Sequence, residues 1–137
     1  MTGQFRVRRK VALSLAVLPW LSKPALGARI HGPTPAEQCS VLAQAMIDLL
    51  RQHSSAVTIG MVYLRHRPSD AGVEVLVRGI CQGEEERFMA AINDSSALKQ
   101  LLKDRSRRDF VRGSTFKLEG CLMSMTELRW LALAALA

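Results

Sequence analysis

The chain has 137 residues, with 19 Lys and Arg against 12 Asp and Glu, a formal charge of +7 and a pI near 10.0. That length bounds the protein to one small core, and its apolar run at residues 11–21 is too short for a bilayer span of about 20 residues. The sequence carries no G-x-S-x-G, H-E-x-x-H or glycine-rich phosphate loop, so no cofactor and no motif-defined enzyme class is indicated.

Residues 1–27 read as a secretory signal peptide. Arg6, Arg8, Arg9, Lys10 and Lys23 precede Ala28 with no acidic residue among them. A basic start, a short apolar core and small residues at Ala25 and Gly27 are the three parts of such a peptide, which places the cut between Gly27 and Ala28. The competing reading is an N-terminal helix retained in the core; a small domain would then have to bury a cylinder apolar on all sides. Val7-Arg8-Arg9-Lys10-Val11-Ala12-Leu13 resembles a twin-arginine translocation signal, without the preceding Ser and with Val11 where Phe is usual. Lys23 resembles the feature that discourages the general secretory route in such signals. Both routes stay open, and the twin-arginine route implies a chain that folds before export, alone or docked to a folded partner. Losing the leader removes five basic residues and lowers the formal charge from +7 to +2. A basic pI ordinarily points to nucleic acid or a membrane surface; here most of it belongs to the leader. The expected product is a nearly neutral single domain of residues 28–137, periplasmic or secreted, with no nucleic-acid partner and no stable membrane span.

The elements of that domain follow in order. Thr34-Pro35-Ala36-Glu37 is a capping box with Pro at the first helical position. Cys39, Leu42, Ala43, Met46, Leu49, Leu50 and His53 then recur on one helical face, which predicts a helix over 35–53. Residues 56–81 are ambiguous. Val57-Thr58-Ile59-Gly60-Met61-Val62-Tyr63-Leu64 and Val73-Glu74-Val75-Leu76-Val77 suit the strands of a hairpin. Ile59, Val62, Tyr63 and His66, like Val73, Leu76, Val77 and Ile80, have helical spacing. The spacing favours two short helices near 56–66 and 70–80, the second starting at Ser69 and Asp70 after Pro68, with Tyr63 as a core aromatic. Glu84-Glu85-Glu86 opens another helix at its positive dipole end, and the Asn93 to Ser96 cluster caps a helix over 97–103.

Lys103 to Arg112 is the most basic stretch of the domain. Arg105, Arg107, Arg108 and Arg112 are candidates for binding an anion or an acidic partner, with Asp104 and Asp109 as internal counter-ions. Ser106-x-x-Asp109 reads as a fresh cap that buries Phe110 and Val111 before Gly113 stops the turn. Only Phe110 interleaves with these arginines, so the stacking platform of a single-strand binder is missing. Residues 115–120 alternate as one short strand with Phe116 and Leu118 inward. Ser124-Met125-Thr126-Glu127 caps a terminal helix whose end is apolar all round, hence central to the core or packed on another molecule. The fold expected is mainly α, with one short strand or hairpin segment.

Cys39, Cys81 and Cys121 are 42 and 40 residues apart, with no C-x-x-C pair and no metal-ligand spacing. In an oxidising compartment one disulfide leaves one thiol, either buried or available to a partner chain. Phe110-x-x-Gly113-x-Thr115, then Gly120-x-x-Met123-Ser124-x-Thr126-Glu127-x-Arg129 and an Ala/Leu tail, together with Ile59-Gly60-x-x-Tyr63-Leu64, resemble the later part of small exported bacterial proteins with twin-arginine-type leaders. No activity is assigned to that group, so the resemblance implies export and helical structure. The function expected is a non-enzymatic accessory subunit or assembly factor with a protein partner, for instance an exported redox enzyme. The alternatives are a thiol enzyme pairing Cys39 or Cys121 with His53 or His66, and an anionic-surface binder using Arg105 to Arg112.

Overall fold

The computed structural model describes residues 32–137. The leader, with Arg8, Arg9 and the Gly27–Ala28 junction, lies outside the described residues. What is described is mainly helical: six α-helices and one two-stranded antiparallel sheet.

Helix α1 spans Pro35–Asp48. Its capping box forms as the sequence predicts: the Thr34 amide donates to Glu37 Oε1 at 2.8 Å and the Glu37 amide to Thr34 Oγ1 at 3.1 Å. The helix stops earlier than residue 53, for a reason 84 positions away. Trp130 Nε1 donates to the Met46 carbonyl at 2.8 Å, the acceptor that the Leu50 amide would take in a continuing α-helix. The Leu50 amide turns instead to Ile47 at 2.8 Å, and Leu50 drops into a small cluster with Ala56 and Leu131. His53 therefore leaves the buried face and is exposed.

The ambiguous segment is helical. Helix α2 covers Ser55–His66 and α3 covers Val73–Cys81. A 3-10 turn at Pro68–Asp70 delays the start of α3 beyond residue 70. Asp70 does not cap that helix because Tyr63, on α2, donates its hydroxyl to the Asp70 carboxylate. Helix α4, Glu85–Ala90, is short, and Glu84 sits just before it. Helix α5 then runs unbroken over Ser95–Arg112, starting on the Asp94 cap and ending on Gly113 at φ +79°.

The break expected inside α5 is absent because the residues predicted to make it are used elsewhere. Ser106 Oγ bonds Ser124 Oγ at 2.8 Å, and Asp109 accepts the Thr126 amide at 2.7 Å. Asp109 is thus an acceptor for the first turn of the terminal helix, not a counter-ion. Phe110 and Val111, 47% and 87% exposed, are not buried.

Strands β1, Thr115–Leu118, and β2, Cys121–Ser124, pair in register from Thr115 with Ser124 to Leu118 with Cys121. The sequence predicts the first strand but not its partner. Glu119 and Gly120 join them with φ +51° and +85°, positive at both positions as a type I′ turn requires. Ser124 then accepts the Glu127 amide at 3.0 Å and starts α6, Met125–Leu136.

Helix α6 is central to the packing of the described residues. It packs most extensively on α2 and α3, and Leu128, Ala132 and Leu133 are fully buried. This packing takes up the apolar residues as far as Leu133, while Leu136, in the last turn, stays 37% exposed. The α2–α6 crossing is close enough that a Cβ on Gly60 would lie 2.3 Å from the Leu131 carbonyl oxygen. At Gly79 the three atoms nearest the added one all belong to the Arg129 side chain, the closest being Nε at 2.8 Å.

Gly60→Ala therefore destabilises the fold by about 2 kcal/mol despite the better helix propensity of Ala. Gly79→Ala, whose neighbour can swing away, stays within about 1 kcal/mol of wild type. Urea unfolding midpoints of the two variants measure the contrast; equal losses would contradict the tight crossing.

Candidate functional site

The four candidate arginines do not present one surface. Arg105 is only 5% exposed and its Nη1 lies 2.8 Å from Glu84 Oε1. Arg87 at 3.4 Å and Arg108 at 3.9 Å close on the same carboxylate. Partial desolvation of Glu84 acts to raise its pKa, but Arg105, then Arg87 and Arg108, outweigh it and hold the carboxyl below its ordinary value. A buried guanidinium needs such a partner, since uncompensated charge in a core is costly. Arg107 pairs with Asp104 at 2.8 Å on the solvent side, and Arg112 is exposed in the last turn of α5. A cation there suits the negative end of the helix dipole. Most of this basic stretch is thus engaged within the fold.

The three cysteines are free thiols, two buried and one exposed. Cys39 and Cys81 lie in the main core cluster. Burial, then the Glu74 carboxylate, raises the Cys39 pKa; burial, then Glu85, pushes Cys81 up to about 12. The thiolate is the nucleophile, so neither thiol is activated near neutral pH. His53 is exposed after α1, while His66 Nδ1 lies 2.9 Å from the Val62 carbonyl and its ring meets Phe116 edge-on at 5.9 Å. Among the described residues no hydrogen bond joins a cysteine to either histidine, and no group of three His, Cys, Asp or Glu is placed to hold a metal ion.

Cys121 is different. It is exposed on the lip of a groove of about 410 Å³ between α2 and the hairpin. Thr58, Ile59, Val62 and Arg65 form the helical wall; Leu118, Glu119, Cys121 and Met123 form the other. The alternation of the strands produces that second wall, because Leu118 pairs with Cys121 and Phe116 with Met123 on one face. Val57 and Met61, next in the chain to Thr58 and Val62 but outside the groove lining, are 45% and 51% exposed. Sequence reasoning places Cys121 among the partner thiols but misses the groove, since the second strand is not legible. A cleft of about 430 Å³ between the end of α1 and the start of α5 is polar instead, and its Arg51 is neutralised by Asp48 at 3.0 Å.

Comparison of the chain with protein-family models, with curated proteins and with solved structures finds no match.

Tyr63, on the buried side of α2, has no free phenolate to offer. It is fully buried, meets Phe116 edge-on at 6.1 Å and is hydrogen-bonded to Asp70. Burial first, then the Asp70 bond and charge, push its pKa up to about 12. The neutral phenol is what the fold stabilises, so this contribution is complete below the ordinary value near 10 and is lost as pH rises through 12. Because Tyr63 is the one tyrosine in the chain, phenolate absorbance after a rapid pH jump reads it directly. The folded protein should titrate near 12 and the urea-unfolded protein near 10, with Asp70→Asn lowering the folded midpoint. Coincident folded and unfolded midpoints would contradict the buried Tyr63–Asp70 contact.

Proposed function

We propose that the chain is a non-enzymatic interaction protein of the bacterial cell envelope, an accessory subunit or assembly factor for a partner such as an exported redox enzyme. One observation carries this reading: an apolar groove on the surface has an unpaired thiol exposed at its edge. Apolar side chains clustered around a concave site, with charges kept to its rim, are what a protein-docking surface requires. The leader supports the compartment. Its Arg8-Arg9 pair, apolar run and small residues at Ala25 and Gly27 suit export, and an exposed thiol outside the cytoplasm is available for a mixed disulfide with a partner.

A photo-crosslinking residue introduced at position 61, exposed on α2 and next in the chain to Val62 of the groove wall, tests the reading in cells that export the protein. The expected result is a discrete protein adduct from position 61 and none from position 111, an exposed apolar position on α5. Equal adducts from both positions, or no adduct from either, would contradict docking at the groove. Mature protein recovered from cytosol still carrying residues 1–27 would contradict the envelope assignment.

A further inference from the structure

We infer that the occupant of the α2–hairpin groove is a second copy of this chain, related by a two-fold axis, with Arg65 of each copy paired to Glu119 of the other. This rests on the reading of the groove as a protein-docking surface and names the partner seated across it in the free protein, where an exported enzyme would compete for the same face.

The argument begins with the charges at the rim. The lining is mostly apolar, with Ile59, Val62 and Met123, while Arg65 stands on the helical wall and Glu119 on the hairpin wall. Neither takes part in a salt bridge among the described residues. One unpaired cation and one unpaired anion on opposite walls make the patch complementary to itself when turned through a half-rotation. An isologous contact demands that symmetry, because residue i meets j while j meets i. A different partner would need its own anion and cation in the matching order; a second copy supplies both by symmetry.

The turn gives a second indication. Glu119 has φ +51° in the hairpin turn, a position that Asn, Asp or Gly fills most readily. Left-handed backbone at a residue with a Cβ costs roughly 1–2 kcal/mol. Strain of this kind is a reason to look for a role. Here it sets a carboxylate on a rigid two-residue turn at the edge of an apolar groove. The third indication is Val57 and Met61, which lie exposed on the same helix as Arg65 at successive four-residue steps. A two-fold contact along α2 would cover all three together with Cys121.

Sedimentation equilibrium of the purified protein under reducing conditions tests the inference. The expected result is a reversible dimer. Arg65→Glu and Glu119→Arg should each weaken it roughly ten-fold, through like charges brought face to face, and the double exchange should restore it. Met61→Glu should give a monomer in which Cys121 is alkylated faster than in the wild-type dimer, while Val111→Glu on α5 should change nothing. These positions are exposed, so folding of each variant is checked by circular dichroism without confounding the readout. A monomer at all concentrations overturns the inference, as does a dimer indifferent to the charge exchange. A monomer whose position-61 crosslinker captures a different chain would remove the second copy and leave the groove as a docking site. A monomer with no adduct would remove both.

Discussion

The close crossing of α2 and α6 is the constraint on which the rest of the structure depends. Only a residue without a side chain lets the two backbones approach as they do at Gly60 and Leu131. That approach places the terminal helix in the middle of the domain, where Leu128, Ala132 and Leu133 fill the space between α2 and α3. Burial of such side chains is the main favourable term in folding. The same crossing carries Trp130 to the end of α1, where its indole bonds the Met46 carbonyl and turns the chain toward α2. One helix therefore sets both the core and the length of another helix.

A polar seam fixes the start of that central helix. Ser124 and Asp109 accept the amides of Glu127 and Thr126, two of the donors that an α-helix leaves without internal partners. Ser106 joins Ser124, so α5 and β2 are tied at the same point. Thr126 Oγ1, in this first turn, is buried without a hydrogen-bond partner among the described residues. The seam holds the hairpin against α5 and α6, and the hairpin's other face becomes the wall of the groove. A two-stranded hairpin is marginal by itself; here Leu118 enters the main core.

Much of this is legible in the sequence wherever the cause is local. The Thr34–Glu37 capping box, the Ser124 cap, the Gly113 stop and the helical spacing of Ile59, Val62 and Tyr63 depend on neighbours a few residues away, and the structure has them as expected. The departures share a different cause. Asp70, Ser106 and Asp109 are good capping residues by type, yet each side chain answers a group brought to it by the tertiary fold. Arg105 looks like surface charge in a basic run, but Glu84, 21 positions away, allows it to be buried. The groove was hidden for the same reason. Its second wall is a strand that sequence alternation does not announce, and its apolar residues come from two elements far apart in the chain.

In functional terms, the fold consumes most of the chemistry that the sequence offers among the described residues and leaves the groove open. The arginines are largely paired, two thiols are buried and the phenol is held neutral, whereas Cys121 and the groove face outward. The central claim is that the α2–α6 pair is the last part of the molecule to open. Native-state hydrogen exchange reads this most directly, since amides in the most stable unit exchange only by global unfolding. The account predicts that the slowest amides are those in the middle of α2 and α6, flanking Gly60 and Leu131. If α6 exchanged early while α1 or α5 stayed protected, the crossing would not be the element that holds the fold together.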